Sequence, residues 1–406
     1  MKKSLSLKQA AFLVPLLLLL AIFAVYPILT SVVYSLFDYR TNDPTTAGLY
    51  TDARFNAPLF YEDCDYAAWY LEDDLTLLPA EDQPALQTVI DGLKELASPY
   101  KDSTEVIAKP AGEQEQIMSR VRELQEQTDA IYAAHPDANW YNGPDKLTLL
   151  YNEMGQCTIG SNFAGLESYG KLLTDGRFGK SLLSTVIFTV ISVFFELILG
   201  MALALIMNKA MKGIGLVRTI ALIPWAIPTA VSALMWSYMY DGSSGIIAKL
   251  FAMIGLIPSP EQMLLSAGGA MTAAILSDVW KTTPYMALLL LAGLQIIDTG
   301  LYESATVDGA SAVRTFFSVT LPLLKPSMLV ALLFRTLDAF RVYDLIAVLT
   351  GGAQGTETLS IYAYKLMIGQ SNYGYGSAVV IAMAACVGII AFIFVKFLGA
   401  ELIADD

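Results

Sequence analysis

Six long apolar segments constrain the fold of this chain more than any other feature. Each can supply the roughly 20 residues that a helix needs to cross the hydrocarbon of a bilayer. The sequence is 55% hydrophobic and only 16% charged, which is too apolar for a soluble globule. We therefore predict an all-α polytopic membrane protein with six transmembrane helices. The segments are Ala10–Leu36, Ser181–Met207, Thr219–Tyr240, Gly269–Ile297, Ser327–Thr350 and Gly376–Leu398.

Basic residues beside these segments predict the orientation of the chain, because cytoplasmic loops are enriched in Lys and Arg. They precede the first segment and lie between the second and third and between the fourth and fifth, so both termini are expected in the cytoplasm. These residues are Lys2, Lys3, Lys8, Lys209, Lys212, Arg218, Arg314 and Lys325. A cleaved signal peptide is the alternative for the first segment. Its apolar run is longer than such a peptide requires, and no A-x-A-type cleavage pattern follows it.

A domain-sized polar insert separates the first two apolar segments. Between Asp38 and Lys180 lie 25 of the 38 acidic residues but only 11 of the 25 basic ones. This negative field argues against nucleic acid as a partner. The predicted division is a cytoplasmic N-terminus with the first transmembrane helix (1–39), an extracytoplasmic insert domain (40–160) and a membrane core with helices 2 to 6 (161–406).

The insert contains two predicted helices and two cysteines. Helices are expected at Pro84–Leu96 and Gly112–Ala134, and the second carries an apolar stripe at helical spacing. That stripe is either a docking surface or the inner face of the domain itself. Cys64 and Cys157 lie near the two ends of the insert, where they form either a disulfide or two free thiols. Cys386 falls in the last apolar segment.

The fifth apolar segment carries four charges at intervals of three residues, namely Arg335, Asp338, Arg341 and Asp344. Each such charge opposes insertion by about 2.5 to 3.5 kcal/mol at a helix centre, so this helix should not face lipid. Spacing of i,i+3 predicts an Arg335–Asp338 pair and an Arg341–Asp344 pair. The ladder either locks helices together or lines a polar translocation path.

Charges also occur in two other apolar segments. Asp278 and Lys281 are expected to pair with each other in the fourth, and Glu196 in the second is a carboxylate that needs a partner.

A polar segment between the fourth and fifth spans carries the clearest motif. It begins Glu303-Ser-Ala and contains Gly309, and Leu321-Pro322 follows twelve residues later. This pattern resembles the cytoplasmic coupling loop of ABC importer permeases, in which a short helix contacts the ATPase. We expect a helix over Leu301–Ala312, close approach of a partner backbone at Gly309, and termination by Pro322 and Pro326 before the next span. The resemblance assigns the coupling role to Glu303, Ser304, Ala305, Asp308, Gly309, Ala310, Phe316, Leu321 and Pro322.

The resemblance extends from about Asn162 to Tyr364, roughly half of the chain, and is closest to carbohydrate ABC permeases. It includes Trp280-Lys-Thr-Thr-Pro284, Gly293-Leu-Gln, and the charged run from Arg335 to Asp344. Most simple permeases of this kind lack the large insert, so no function is carried onto it.

Carbohydrates are recognised through hydroxyl hydrogen bonds and aromatic faces. Trp225 and Trp236 are further aromatic candidates for such contacts. Packing or a position at the membrane interface is the commoner explanation for such a residue taken alone. The predicted translocation path comprises Trp280, Tyr285, Asp338, Arg341, Tyr343 and Asp344.

The resemblance implies a transport subunit for a sugar or oligosaccharide in a bacterial or archaeal inner membrane. It also implies the partners: a second homologous permease, two ATPase subunits that bind ATP and Mg²⁺, and an extracytoplasmic solute-binding protein. The sequence has one histidine, His135, and no G-x-x-x-x-G-K-[ST] phosphate loop, so neither an enzyme nor a cofactor or metal site is expected in this chain. The alternatives are a permease for another small polar solute, such as a glycerol phosphate ester, and a membrane-anchored ligand sensor with a cytoplasmic effector domain.

Overall fold

The computed structural model describes residues 7–209 and 212–404, with side chains over 14–209 and 212–396. Lys2 and Lys3, and the side chain of Lys8, lie outside this part, so their contribution to the predicted orientation has no structural counterpart. The chain divides into two compact units, each described by itself. The first contains residues 1–32, 169–370 and 376–406, and the second contains residues 33–168 and 371–375.

The first unit is helical. Its helices are Leu7–Leu20 (α1), Tyr26–Ser35 (α2, which ends in the second unit), Glu167–Thr174 (α7), Gly176–Asn208 (α8), Ile214–Ala226 (α9), Thr229–Met239 (α10), Ile246–Met253 (α11), Gln262–Leu265 (α12), Ala267–Leu294 (α13), Thr299–Val307 (α14), Ala312–Thr315 (α15), Leu321–Phe340 (α16), Asp344–Leu349 (α17), Leu359–Tyr364 (α18) and Tyr373–Ala404 (α19). There are also three short π-helical turns. Ala21–Val25 joins α1 to α2, Phe316–Thr320 joins α15 to α16, and Lys365–Gly369 follows α18.

Four helical segments in the described residues are long and apolar enough to cross a membrane: Val14–Ser35, Gly176–Asn208, Ala312–Phe340 and Tyr373–Lys396. Two further candidates are bent pairs. The α9 and α10 helices meet at 87°, and α13 and α14 meet at 76°. The structure therefore has four spans by this measure, or up to six if each bent pair is one span.

Two sequence predictions about helix ends differ from the structure. The fifth span was expected to run from Ser327 to Thr350, but α16 ends at Phe340 and α17 begins a separate helix at Asp344. Pro322 and Pro326 were expected to terminate the coupling helix, yet Pro322 lies in the first turn of α16 and Pro326 inside it. A proline in the first turn loses no helical hydrogen bond, which is why Pro322 is compatible with this start.

Glycines allow α8, α13 and α16 to pack closely. A methyl group added at Gly200 would lie 2.7 Å from Cγ of Met286, and one at Gly293 would lie 2.5 Å from Cβ of Ser327. Both distances are shorter than van der Waals contact, so larger residues at these positions would force the helices apart. The outer faces of the same helices are apolar and exposed, as at Val190 and Phe194 of α8, which suits contact with lipid.

The second unit has a small three-stranded antiparallel sheet and four helices. Its strands are Arg54–Phe55 (β1), Ile107–Ala108 (β2) and Thr158–Ile159 (β3), in the order β2-β1-β3. Its helices are Ala57–Leu75 (α3), Gln83–Ala97 (α4), Ala111–Ala134 (α5) and Gly143–Gln156 (α6). The α4 and α5 helices confirm the two helices predicted in the insert. The stripe on α5 includes Val121, Leu124 and Thr128, which are buried in the core of this unit, so it is an inner face.

A buried carboxylate organises one end of this core. Asp74 accepts hydrogen bonds from the hydroxyl of Tyr132 at 2.7 Å and from the backbone N–H groups of Tyr141, Asn142 and Gly143 at 2.8 to 3.1 Å. Four donors compensate for the burial of this charge. They tie α3 to α5 and to the start of α6.

Of the two alternatives for the cysteines of the insert, the structure has the free thiols. Cys64 and Cys157 are both free and buried. Cys64 Sγ contacts Met154 Sδ at 4.0 Å, and Cys157 Sγ lies 4.0 Å from a carboxylate oxygen of Asp63. Burial raises the pKa of both thiols, which keeps them protonated and unreactive in the folded unit.

Candidate functional site

A polar cavity of about 300 Å³ lies where three helical elements of the first unit are interrupted or charged. It sits beside the bend between α9 and α10, against the middle of α13, and at the break between α16 and α17. Irregular backbone at membrane depth is tolerated where it is buried or lines a polar cavity, which accounts for these breaks. The lining residues are Trp225, Thr229, Asp278, Lys281, Thr282, Arg335, Asp338, Ala339, Arg341, Val342, Tyr343, Asp344 and Leu345.

One buried arginine holds the wall of this cavity together. Arg335 is 1% exposed, and its Nε lies 2.5 Å from Oε2 of Glu196, which is fully buried. Its Nη2 also contacts Asp278, and its Nη1 lies 3.1 Å from Oδ2 of Asp338. Thr282 Oγ1 lies 2.7 Å from Oε1 of Glu196. The guanidinium therefore joins α8, α13 and α16 through three carboxylates.

The observed ion pairs differ in part from the predicted ones. Arg335 pairs with Asp338 as expected, and Glu196 has the partner that it needs. Lys281 does not pair with Asp278: its Nζ donates to the backbone oxygen of Trp225 at 3.4 Å, because Arg335 occupies Asp278.

Arg341 and Asp344 do not follow the predicted pairing either. The α16 helix ends at Phe340, just before Arg341, and Asp344 begins α17. Nε of Arg341 donates to the backbone oxygen of Leu337 at 3.0 Å. No ion pair joins these two residues in the part of the chain that the structure describes.

The predicted path residues divide into two groups. Asp338, Arg341, Tyr343 and Asp344 line the cavity. Trp280 and Tyr285 do not line it, and each packs against another aromatic ring instead.

Aromatic stacking connects one of these two residues, Tyr285, to the cavity wall. The ring of Tyr285 stacks on Trp225, which does line the cavity, with centroids 5.5 Å apart and planes at 10°. Trp280 meets Trp236 edge to face at 5.5 Å. Thr229 and Thr282 also line the cavity but were not among the predicted path residues. A threonine inside an apolar segment gives no signal in the sequence until the fold shows which side it faces.

The predicted coupling segment forms a short exposed helix. The α14 helix begins after Asp298, whose carboxylate accepts from the N–H of Gly300 at 2.8 Å. It ends at Val307, five residues before the predicted end at Ala312. Asp308 follows as the cap, Gly309 has a φ of +73°, and Ala310 N–H donates to the oxygen of Ala305 at 2.9 Å. A left-handed residue after a helix favours glycine, so the helix ends here for a local reason.

The surface of this segment is largely open. Glu303, Ser304, Asp308 and Gly309 are exposed, Ala305 and Ala310 are half-buried, and no atom lies within 4 Å of a methyl group added at Gly309. Val307 is 87% exposed, which is unusual for an apolar side chain on a helix. The remaining predicted coupling residues lie further on: Phe316 begins the π-helical turn, and Leu321 and Pro322 begin α16.

No group of three or more His, Cys, Asp or Glu side chains in the described residues is arranged to hold a metal ion. His135, in the second unit, lies 3.2 Å from Asp82. The three carboxylates around Arg335 share one guanidinium as their ion-pair partner, so the cavity wall has the chemistry of an ion-pair network.

Residues 176–403 match the family described as the binding-protein-dependent transport system inner membrane component. This chain belongs to that family. The matched region starts with α8 and includes the cavity, the buried network and the coupling segment. It places the protein in the inner membrane as a multi-pass component of a transport system.

Two relatives show how similar the core of this permease is to proteins of assigned role. The trehalose/maltose transport system permease protein of Thermococcus litoralis is 45% identical over 236 residues, which are 58% of this chain and 79% of the relative. The trehalose transport system permease protein of Mycobacterium tuberculosis is 44% identical over 238 residues, which are 59% of this chain and 76% of the relative.

A solved structure has a similar fold. It is a bacterial alginate ABC transporter in complex with a periplasmic protein that carries an alginate pentasaccharide. The TM-score is 0.51 at 25% identity, and the match covers 57% of this permease and 81% of that chain. The match accounts for just over half of this permease.

Proposed function

We propose that this permease is the translocating subunit of an ATP-driven importer for a sugar or oligosaccharide. The observation that carries the proposal is the cavity at the broken helices, where a tryptophan face, two threonines and charged donors and acceptors converge. Sugars bind to such combinations of an aromatic face and paired polar groups. The two relatives named above transport trehalose, or trehalose and maltose, which makes these disaccharides the first cargo to test.

The proposed assembly contains a second homologous permease, two ATPase subunits and an extracytoplasmic solute-binding protein. The exposed α14 helix and the segment 301–326 would contact an ATPase, and motion of that subunit would rock the spans between outward and inward access. ATP and Mg²⁺ would bind to the ATPase subunits, and this chain would bind no cofactor. The bound periplasmic protein in the alginate transporter supports the last partner.

The proposed topology has six spans with both termini in the cytoplasm. Taking α9 with α10 as one bent span and α13 without α14 as another gives six spans. The basic residues Lys209, Lys212, Arg218, Arg314 and Lys325 lie in or near the connections that this topology places inside. The segment 40–160 would then lie on the extracytoplasmic side as a folded domain between the N-terminal span (1–39) and the core (161–406). Its acidity suits the steering of a basic patch on the incoming solute-binding protein.

Reconstituted uptake tests this proposal. The permease, its partner subunits and the binding protein encoded beside it should drive ATP-dependent accumulation of labelled trehalose or maltose in proteoliposomes. Labelled sn-glycerol 3-phosphate serves as the competing cargo class. Accumulation of the glycerol phosphate without either disaccharide would favour the alternative cargo.

A further inference from the structure

Two charged side chains that line the cavity, Lys281 and Asp338, retain hydrogen-bonding capacity that the network around Arg335 does not satisfy. Lys281 is only 8% exposed, and its ammonium makes one long hydrogen bond, to the backbone oxygen of Trp225. An ammonium has three N–H donors, so the buried side chain retains donors where it lines the cavity. Burying such a group without full hydrogen bonding is costly unless a ligand or water completes it.

Asp338 is the matching acceptor. One of its oxygens, Oδ2, contacts Arg335 at 3.1 Å, while 66% of its side chain is exposed at the cavity. A carboxylate accepts at two oxygens with about four lone-pair sites, so one contact leaves most of its capacity free. Lys281 and Asp338 therefore offer a donor and an acceptor to the same space.

The charges that line this space are equal in number. The carboxylates are Asp278, Asp338 and Asp344, and the cations are Lys281, Arg335 and Arg341. Arg335 is also engaged from behind the wall by Glu196. Among the carboxylates that contact Arg335, Asp338 is the exposed one, so in a partly dehydrated cavity it repels a cargo group that binds Lys281 with a negative charge of its own.

We infer that Lys281 and Asp338 are specificity-determining residues that bind the hydroxyl groups of an uncharged cargo and exclude anionic ones. This inference rests on the proposed function. A sugar hydroxyl both donates and accepts, so one hydroxyl pair can satisfy the ammonium and the carboxylate together. A phosphate, sulfonate or uronate can accept from Lys281, but its charge then lies against Asp338.

The test compares two probes that differ by one anionic group, trehalose and trehalose 6-phosphate. Binding to the assembled transporter in nanodiscs is measured by calorimetry. The wild-type complex should bind trehalose at least about tenfold more tightly than its phosphate ester, because one unfavourable charge contact at this range is sufficient for that factor. Asp338→Asn replaces the carboxylate by an uncharged, weaker acceptor, so it should weaken trehalose binding by about threefold or more and lose most of the discrimination.

The role of Lys281 is tested with a matched pair of variants. Lys281→Met should weaken trehalose binding by about tenfold or more, and Lys281→Arg, which keeps a cationic donor, should restore much of it. Glu261→Gln removes a carboxylate that does not line the cavity and should change neither probe. Assembly of each variant is checked by the yield of the intact complex.

The possible outcomes distinguish failure of the specificity role of Lys281 and Asp338 from failure of the proposed function. Trehalose binding with equal discrimination in the wild-type complex and in Asp338→Asn would overturn the inference and leave the proposed function standing. Loss of discrimination in Glu261→Gln as well would also overturn it, since the effect would then be one of net charge. A wild-type complex that binds trehalose 6-phosphate but not trehalose would overturn the inference and would also contradict an uncharged sugar as the cargo.

Discussion

Arg335 is the residue on which the membrane unit depends most, because three carboxylates from three helices meet at its guanidinium. Removing one member of a buried ion pair costs about 3 to 5 kcal/mol, chiefly because the remaining charge is stranded. Arg335→Met should therefore abolish assembly of the complex. The double variant Arg335→Met with Glu196→Gln should recover part of the yield, since it leaves one stranded charge fewer.

A double-mutant cycle on complex yield measures this coupling, with Arg341 and Asp344 as the control pair. These two residues do not pair in the structure, so Arg341→Gln and Asp344→Asn should have additive effects. Additive effects at Arg335 and Glu196, or strong coupling at Arg341 and Asp344, would contradict the observed network.

Asp63 provides a pH-dependent prediction in the second unit. Its carboxyl group is buried beside Glu153 and Glu62, and desolvation followed by these charges raises its pKa to about 7. The unfolded chain binds no proton at Asp63 above about pH 4, whereas the folded unit retains one up to about pH 7. Its stability should therefore fall as the pH rises through this window, by up to about 1.4 kcal/mol per unit, and then level off.

Urea unfolding of a fragment spanning residues 40–168, followed by tyrosine and tryptophan fluorescence, checks this slope. Asp63→Asn removes the titrating group, so it should be more stable than the wild-type fragment at pH 8 and should differ little from it at pH 4. Equal pH slopes in the two fragments would show that Asp63 does not control the stability. Reduction should not change either fragment, because both cysteines are free thiols.

The sequence was sufficient to identify the charged and aromatic residues of the candidate site, but not the partners that most of them contact. Spacing within one helix correctly gave Arg335 with Asp338, which are neighbours at i,i+3. The contacts of Arg335 with Glu196 and Asp278 join positions 139 and 57 residues apart. The packing of the helices determines such partners. Asp278 therefore contacts Arg335 and does not form the predicted pair with Lys281.

The α14 helix shows at the scale of an element how a local rule and a functional expectation can coincide. Gly309 was expected to permit close approach of a partner, and the structure shows that its backbone also requires the left-handed region. These two requirements have different consequences for substitution. Asn adopts the left-handed conformation more readily than other residues with side chains, while Ala tests the smallest added volume at the same conformation.

Replacements at Gly309 should therefore distinguish helix termination from docking. If the ATPase backbone packs at this position, Gly309→Asn and Gly309→Asp should both insert normally and lose the ATPase subunit and uptake. Copurification of the ATPase with each variant, together with uptake, provides the measurement. Glu303→Lys should behave similarly. A fully coupled Gly309→Asn variant would show that this glycine serves only to end the helix.

Whole elements were predicted well where a periodic pattern was long, and poorly where charges or prolines interrupted it. The α4 and α5 helices agree with their patterns to within about a residue. The fifth span was predicted as one helix because Val342, Leu345 and Ile346 continue its apolar character. Instead, the helix ends at Phe340, and the non-helical turn that follows places Arg341 and Asp344 at the cavity.

At the scale of the whole molecule, the family and the cavity support one account: a permease core that moves cargo, with an additional folded unit near its N-terminus. Composition and hydropathy were sufficient to predict a polytopic helical protein. The motifs were sufficient to predict the family. The position of the cavity required the fold, because its walls come from three separate stretches of sequence.

Alternating access of the cavity tests this account most directly. In a cysteine-free background, Thr229→Cys places a thiol in the cavity wall, and Val190→Cys places one on the apolar outer face of α8 as the control. A membrane-impermeant maleimide is added, in separate experiments, to the outside or to the inside of reconstituted vesicles that contain the full complex. The account predicts that Thr229→Cys reacts from one side without nucleotide and from the other with trapped ATP, while Val190→Cys does not switch. Labelling of Thr229→Cys that is independent of nucleotide would contradict a translocation path through this cavity.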